Sequence, residues 1–370
     1  MVFDNIFNPQ YWSLVPFHFW SLVFFSFGCI VGSFLNVCIY RMPLDLSVVS
    51  PPSHCPHCKY SIPFYLNVPL LTWLSLRGKC KNCGAPISPR YFAVELLTGL
   101  AFLACWLSFG EQSPWIAAVY CLFLAGLITA TFIDFEHFII PDEITFGGAA
   151  VGFVISFFLP QLHDTSSLVE GVERSLIGIF VGGGIVWAVL ELGKRLFGRE
   201  KILLPDGVKI IFTETALCLP DREISYEEIF NRKSDAIVLQ ARRVELIDRS
   251  YHDVPLRLAL RSGTLKIADE EINAEHELHM EVFCSEIILP REAMGFGDVK
   301  FMSAIGAFIG WQGAFFSLMA SSVIGSVVGL TLIVMKRSAW SSKIPYGPYI
   351  ALAAVIWIFG GKNLVATFFR

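Results

Sequence analysis

Apolar stretches long enough to cross a bilayer recur along this chain of 370 residues. A membrane-spanning helix needs about 20 consecutive, mostly apolar residues. The first stretch lacks both the basic residues before it and the small-residue cleavage site after it that are typical of a signal peptide, so we expect it to be retained. The predicted fold class is therefore a polytopic α-helical membrane protein. It has eight predicted helices, at residues 17–39, 91–109, 115–134, 143–160, 175–193, 299–313, 315–335 and 347–367.

Two polar segments interrupt the helices, at residues 40–90 and 194–293. The second contains short runs of β-branched and other apolar residues, such as 208–212, separated by turn-forming pairs such as Ser262-Gly263. This pattern predicts an inserted, mostly-β domain. No internal repeat is evident in the sequence. The predicted parts are an N-terminal segment, the first helix, a cysteine-containing loop, helices two to five, the insert and helices six to eight, at 1–16, 17–39, 40–90, 91–193, 194–293 and 294–370.

Composition supports a membrane protein and the charge pattern orients it. The chain is 54% hydrophobic and only 16% charged, whereas soluble domains are roughly 25% charged. A net charge of -4 argues against a nucleic-acid binder, so membrane lipid is the expected surrounding. Lys and Arg concentrate in the loops at 41–90, 194–201 and 336–343. By the positive-inside rule these loops are cytoplasmic, and eight helices then put both termini on the opposite side.

Four cysteines in the first loop are spaced as metal ligands: Cys55, Cys58, Cys80 and Cys83 form a CxxC pair of motifs. Two such motifs complete the tetrahedral sulfur site that structural zinc prefers. Metal binding would also supply folding energy to a loop with few core residues. We therefore predict one structural zinc per chain. Two disulfides or free redox thiols are the alternative, which a reducing cytoplasm disfavours.

Two acidic residues stand at the ends of predicted helices, where burial near the membrane is costly. Asp134 closes the third helix and Asp298 opens the sixth, inside Gly295-Phe296-Gly297-Asp298. Both lie at the cytoplasmic ends by the topology above. A pair of carboxyl groups that shares one proton is the machinery of aspartic proteolysis. The alternative is that each acid merely marks an interfacial helix end.

These motifs together resemble type IV prepilin peptidases, which are GxGD aspartic proteases. The resemblance covers most of the chain except about 195–285. It implies protease roles for Asp134 and Asp298 and a metal role for the four cysteines. The matching segments are GSFLNV at 32–37, YRMP at 40–43, RY at 90–91, VELLTG at 94–99, FID at 132–134, IPD at 140–142 and GFGDVK at 295–300.

The resemblance implies a bacterial inner-membrane enzyme with two activities. It would remove the short basic leader of type IV prepilins and of type II secretion pseudopilins, and then methylate the new amino terminus with S-adenosylmethionine. The family usually has a short link before its GxGD motif, whereas this chain inserts about 90 residues there. The insert is a candidate contact for a component of pilus or secretion assembly, or only a brace for the loop.

Further polar residues inside predicted helices have two interpretations each. Glu95 and Asn36 are candidates for the S-adenosylmethionine site; alternatively Glu95 is an interfacial acid near a helix N-terminus and Asn36 links two helices. Asp142 is expected to cap the fourth helix. Two rival functions remain: another intramembrane GxGD protease, of presenilin or signal-peptide-peptidase type, and a membrane scaffold or transporter whose acids bind ions.

Overall fold

The computed structural model describes residues 16–362 except 198, 206, 221, 231–234, 247, 274–278, 291–294 and 336–343, and also residues 365 and 367. The predicted N-terminal segment 1–16 therefore lies outside the described residues, apart from Pro16. The basic loop at 336–343 also lies outside them. The chain forms two compact units, one of residues 1–187 with 295–370, and one of residues 188–294.

The first unit is helical. Proline stands at the start of several helices, where its fixed φ suits the first turn and its missing N–H is not needed. The helices are α1 Phe17–Arg41, α2 Leu71–Ser75, α3 Pro89–Phe109, α4 Pro114–His137, α5 Asp142–Phe158, α6 Leu168–Phe197, α8 Phe296–Val334 and α9 Gly347–Ile356, and a π-helical turn at Trp357–Gly361 follows α9.

Five of the described helices are long and apolar enough to cross a membrane: α1, α3, α4, α6 and α8. This agrees with a polytopic membrane protein, but the count of eight is not confirmed. Helix α5 coincides with the predicted fourth span and has only 17 residues. Helix α9 with its π-helical turn covers the first part of the predicted eighth span.

Two predicted spans, 299–313 and 315–335, are joined in α8, whose 39 residues would measure about 58 Å if straight, roughly twice the hydrocarbon thickness. The break is at Gly310, not after residue 313 as predicted, since Gly310 has φ 70° and ψ 178°. This conformation favours glycine because it has no Cβ. In the part of α8 after the break, Gly313 packs on Trp357, just past the end of α9. Gly329 packs near Ile344, just before the start of α9.

Glycine lets the membrane helices approach at backbone distance. A Cβ on Gly306 of α8 would meet the carbonyl oxygen of Gly178 on α6 far inside van der Waals contact, and the reverse is also true. A Cβ on Gly182 would meet the Met302 carbonyl oxygen 2.5 Å away. Close helix packing was the expectation for the glycine run at 182–184, and it holds for its first two members. Gly184 faces no described atom within 4 Å.

The second unit confirms the predicted mostly-β insert as one nine-stranded antiparallel sheet. Its strands alternate buried and exposed side chains, as in β5 and β9, because successive residues point to opposite faces. The strands are β1 Arg199–Leu203, β2 Lys209–Phe212, β3 Ala216–Cys218, β4 Glu223–Ser225, β5 Ile237–Glu245, β6 Ser250–Ala259, β7 Thr264–Ile267, β8 Glu270–Asn273 and β9 Met280–Pro290, with a short helix, α7 Tyr226–Ile229, between β4 and β5.

The sheet has consecutive antiparallel strands on both sides of its central β9–β5 pair. Its order, β4-β3-β2-β9-β5-β6-β7-β8, has the same succession of strands on either side of the β9–β5 pair. The outer hairpins also match in register: Leu217 pairs with Ile224 in one, and Leu265 with Ile272 in the other.

We predict that the α6–α8 contact tolerates no side chain. Gly306→Ala should lower the stability of the purified protein by about 3 kcal/mol or more, because backbone atoms cannot move aside as a flexible side chain can. Gly184→Ala is the matched control and should be neutral or stabilising by up to about 1 kcal/mol, since alanine favours helix. Thermal unfolding in detergent measures both. Equal stability of the two variants would contradict the close approach.

Candidate active site and metal centre

Two carboxyl groups are buried where helices α4 and α8 end and begin. Asp134 is 6% exposed and Asp298 is 8% exposed. Helix α4 stops one turn after Asp134, at Phe138, whose φ is 56° and whose N–H donates to the Asp134 carbonyl oxygen at 3.0 Å. Asp298 lies in the first turn of α8, where the helix dipole favours a negative group.

The fold brings these two side chains together from positions far apart in sequence. Asp134 lies close enough to Asp298 to act on it electrostatically. Ile140 contacts two glycines near the acids. Its Cβ is 3.7 Å from the Cβ position of Gly297, the residue before Asp298. Its Cδ1 is 3.1 Å from the Cβ position of Gly347, the first residue of α9. The two acids therefore lie near each other, as the sequence analysis expected.

Gly347, at the start of α9, is a third component that the sequence analysis did not identify. Its N–H donates to Asp134 Oδ2 at 2.9 Å. A Cβ at this position would lie 2.7 Å from the same oxygen, so a larger residue would displace the carboxylate. The donor is a backbone group, which no side-chain pattern reveals. The available signal is the placement of glycine between Tyr346 and Pro348 at a helix start.

Each buried acid is followed two residues later by a charged residue that pairs with the start of another helix. Glu136 forms an ion pair with Arg90 at the start of α3. Lys300 forms an ion pair with Asp142 at the start of α5. Asp142 is consequently not the cap of α5: the cap position is Pro141, and no side chain caps there. The available cation at Lys300 offers Asp142 a stronger partner than the backbone.

The four loop cysteines converge. All four sulfur atoms lie within 4.8 Å of one another. Cys55 Sγ is 3.8 Å from Cys83 Sγ, and Cys58 Sγ is 3.9 Å from Cys80 Sγ. Four sulfurs at about 2.3 Å from one zinc, in a regular tetrahedron, are about 3.8 Å apart. The donor set and its spacing therefore fit zinc, and the sulfurs are too far apart for disulfides, which need about 2.05 Å.

The two CxxC segments have the same backbone geometry. The Cys55 N–H donates to Tyr60 O, and the Cys55 carbonyl oxygen accepts from the Lys59 N–H. Cys80 repeats this pattern, donating to Ala85 O and accepting from the Gly84 N–H. These turns direct backbone N–H groups at sulfur.

Neighbouring donors also favour the thiolate that a metal needs. Asn82, whose Nδ2 is 3.6 Å from Cys58 Sγ, contributes most to lowering the pKa of Cys58 to about 6. The backbone N–H groups of Cys83 and Asn82 lower the pKa of Cys80.

Asn36 and Glu95 lie at one interface, between α1 and α3. A Cβ on Gly32 would stand 2.8 Å from Glu95 Cα, so the helices touch there. Asn36 Nδ2 donates to Tyr91 O across the interface at 3.0 Å, while its Oδ1 accepts no hydrogen bond from any described residue. Glu95 Oε2 accepts the Leu70 N–H at 2.7 Å and thereby holds the cysteine loop to α3.

The arrangement of Asp134 and Asp298 suits acid–base chemistry on a polypeptide. Two neighbouring carboxyl groups cannot both ionise cheaply, so one is a base while the other is an acid. The base takes a proton from water, and the acid donates to the carbonyl oxygen of the scissile bond. The glycines at 295 and 297 leave room for a substrate backbone beside Asp298.

Two family models match this chain. Residues 26–109 match the Bacterial Peptidase A24 N-terminal domain, which spans α1, the cysteine loop and α3. Residues 121–206 and 278–330 match the Type IV leader peptidase family. The gap between these two segments falls inside the β unit, so most of the sheet is an addition to the family domain. No solved structure matches the chain.

Curated relatives agree with the family models. A "Prepilin leader peptidase/N-methyltransferase" from Myxococcus xanthus is 40% identical over 178 residues, which are 48% of this chain and 50% of that protein. A protein of the same name from Stutzerimonas stutzeri is 25% identical over 93% of this chain and 91% of its own length. The "Type 4 prepilin-like proteins leader peptide-processing enzyme" of Escherichia coli is 39% identical over 48% of this chain and 71% of its length. The chain therefore belongs to the type IV leader peptidase family.

Proposed function

We propose that the protein is a membrane aspartic endopeptidase that cleaves the leader of type IV prepilins and type II secretion pseudopilins, and that it also N-methylates the new amino terminus. The observation that carries the peptidase activity is the buried Asp134–Asp298 pair beside the Gly347 N–H. Family membership and the printed names of the relatives supply the substrate class and the second activity.

In this mechanism the two acids have separate tasks. The Gly347 N–H orients the Asp134 carboxylate and stabilises its negative charge, which suits Asp134 to activating water. Asp298 then carries the shared proton and polarises the scissile carbonyl. The proton taken from water is finally delivered to the leaving amine, so that the pair returns to its starting state.

We expect Asp134→Asn and Asp298→Asn each to lower kcat for prepilin cleavage by about a thousandfold or more, because either change removes the shared proton. The double variant should be no worse than the singles, since the two acids act as a unit. Gel mobility of prepilin with purified enzyme measures the rate. Asp164→Asn, an exposed acid in the loop between α5 and α6, is the control. Near-normal cleavage by either active-site variant, at equal protein level, would sink the assignment.

We also propose that Cys55, Cys58, Cys80 and Cys83 hold one structural zinc. The sulfur spacing and the repeated backbone turns support this proposal. With four protein ligands the coordination is complete, so the metal would stabilise the loop and take no part in peptide hydrolysis.

Purified protein should contain about one zinc per chain. Cys58→Ser should lower both the zinc content in elemental analysis and the yield of folded protein, because binding energy contributes to folding. Cys218→Ser, in the β unit, is the matched control and should leave zinc unchanged. Full zinc content in the Cys58 variant would rule out the four-sulfur site.

For methyl transfer, we propose that Asn36 contributes to the S-adenosylmethionine site. Its Oδ1 is buried and has no partner among the described residues, so it is available to the amino group of this cofactor. Glu95 was the second candidate. Because its Oε2 is bound by Leu70 N–H, we assign Glu95 the task of holding the cysteine loop beside Asn36.

Asn36→Ala should therefore leave cleavage within about twofold of normal, because the acids lie on other helices, while N-methylation is lost. Mass spectrometry of the mature pilin terminus distinguishes the two products. Ser321→Ala, which removes a hydroxyl 2.8 Å from Tyr346 Oη between α8 and the start of α9, is a control for general weakening of helix contacts. Normal methylation by the Asn36 variant would remove this residue from the site.

The location that fits this function is the bacterial inner membrane, with the cysteine loop, the insert and the acids facing the cytoplasm. The insert remains a candidate contact for a component of pilus or secretion assembly. Of the rival functions, presenilin-type proteases share the GxGD motif but lack the cysteine quartet. A scaffold or ion transporter would not cleave prepilin, so loss of cleavage in the Asn variants of the two acids distinguishes the peptidase from this rival.

A further inference from the structure

Four helices of the membrane unit line a half-open apolar cavity of about 350 Å³ that no step of the proposed mechanism uses. It lies between α1, α4, α5 and the part of α8 before Gly310. Helix α8 contributes Phe301 and Ile305, α1 contributes Cys38, and α4 contributes Thr129. Its volume is near the lower end of the range for small-ligand pockets, which is room for a few apolar side chains.

The cavity lies along the two helices that carry the acids, and neither acid lines it. Thr129 lies five residues before Asp134 on α4, and Phe301 lies three residues after Asp298 on α8. At a rise of 1.5 Å per residue, these two lining residues lie about 5–8 Å from the acids, measured along the helix axes. The cavity runs from there along both helices, away from the helix ends where the acids are.

This placement restricts what the cavity would hold during hydrolysis. If the scissile bond of a polypeptide lies at the acids, the chain on one side of that bond continues alongside the membrane helices. At that depth the backbone must satisfy its own hydrogen bonds, and exposed side chains must be apolar. A helical apolar segment directly after the scissile bond meets both requirements.

We propose that this cavity is a substrate subsite that receives apolar side chains from the segment on the carboxyl side of the scissile bond. The proposal rests on the proposed peptidase function and adds to it a determinant of specificity. Recognition would then depend on the shape of the first helical turns of the mature pilin as well as on its leader.

Two glycines give the cavity its width and make the proposal testable. Gly126 on α4 and Gly147 on α5 both line it, and a Cβ at either position would meet no described atom within 4 Å. A side chain at either position would therefore extend into the cavity from a backbone site that has room for its Cβ. Gly184 on α6 is equally unobstructed and does not line the cavity.

The experiment compares Gly126→Leu and Gly147→Leu with Gly184→Leu on two substrates. One substrate is full-length prepilin in detergent, and the other is a peptide that ends a few residues after the scissile bond. All three changes favour helix equally, so helix propensity does not distinguish them. Gly126→Ala adds a smaller filling step, in case a leucine variant fails to fold.

We expect both cavity variants to raise KM for full-length prepilin by about 10-fold or more, with kcat for the short peptide unchanged. Gly126→Ala should give a smaller rise and Gly184→Leu none. Unchanged cleavage of both substrates by the folded variants would overturn the subsite and leave the cavity to lipid. Equal loss on both substrates would also overturn it, since that result means disturbed acids. Failure of the wild-type protein to cleave either substrate would instead refute the peptidase function itself.

Discussion

The burial of two carboxyl groups among apolar helices is the constraint to which the rest of the membrane unit is adapted. A carboxylate removed from water needs compensating donors or a shared proton. Asp134 receives the Gly347 N–H, and Asp298 lies in the first turn of α8, where the helix dipole favours negative charge. Three chain segments, around residues 134, 298 and 347, must therefore meet at one point. Each is placed by a helix, and the position of each helix is fixed by packing.

Small residues supply that packing, because in lipid there is little hydrophobic driving force between helices and close backbone contact replaces it. The Gly178–Gly306 approach fixes α8 two turns beyond Asp298. Gly310 then interrupts α8, and the second half of α8 packs along α9 and places Ser321 against Tyr346. The same α9 begins with the donor to Asp134. Gly310, which breaks α8, thus helps to position α9, whose first residue donates the hydrogen bond to Asp134.

The sequence predicted what depends on composition and on side-chain chemistry. The membrane helices, the mostly-β insert and the cysteine quartet follow from hydropathy, alternation and spacing, and the structure supports each of these. The sequence did not predict the features that depend on backbone geometry. The break at Gly310 lies inside an unbroken apolar run, and the Gly347 N–H belongs to a residue with no side chain. Asp142 was expected to cap α5, because an acid after proline at a helix start has that appearance; its partner, Lys300, is 158 positions away. The register of the outer hairpins of the insert is likewise visible only in the strand pairing.

The ion pair next to Asp134 connects the two segments that match different family models. Glu136, two residues after Asp134, pairs with Arg90 at the exit of the cysteine loop. Glu95, little more than one turn further along α3, binds the Leu70 N–H within that loop. The loop, α3 and the end of α4 are therefore joined by a short series of polar contacts. A loop stabilised by four cysteine ligands would fix the start of α3, and through Arg90 it would restrain the turn that follows Asp134. In this arrangement the amino-terminal half would help to position Asp134, one of the two proposed peptidase acids, as well as carry the proposed methyl-transfer residue.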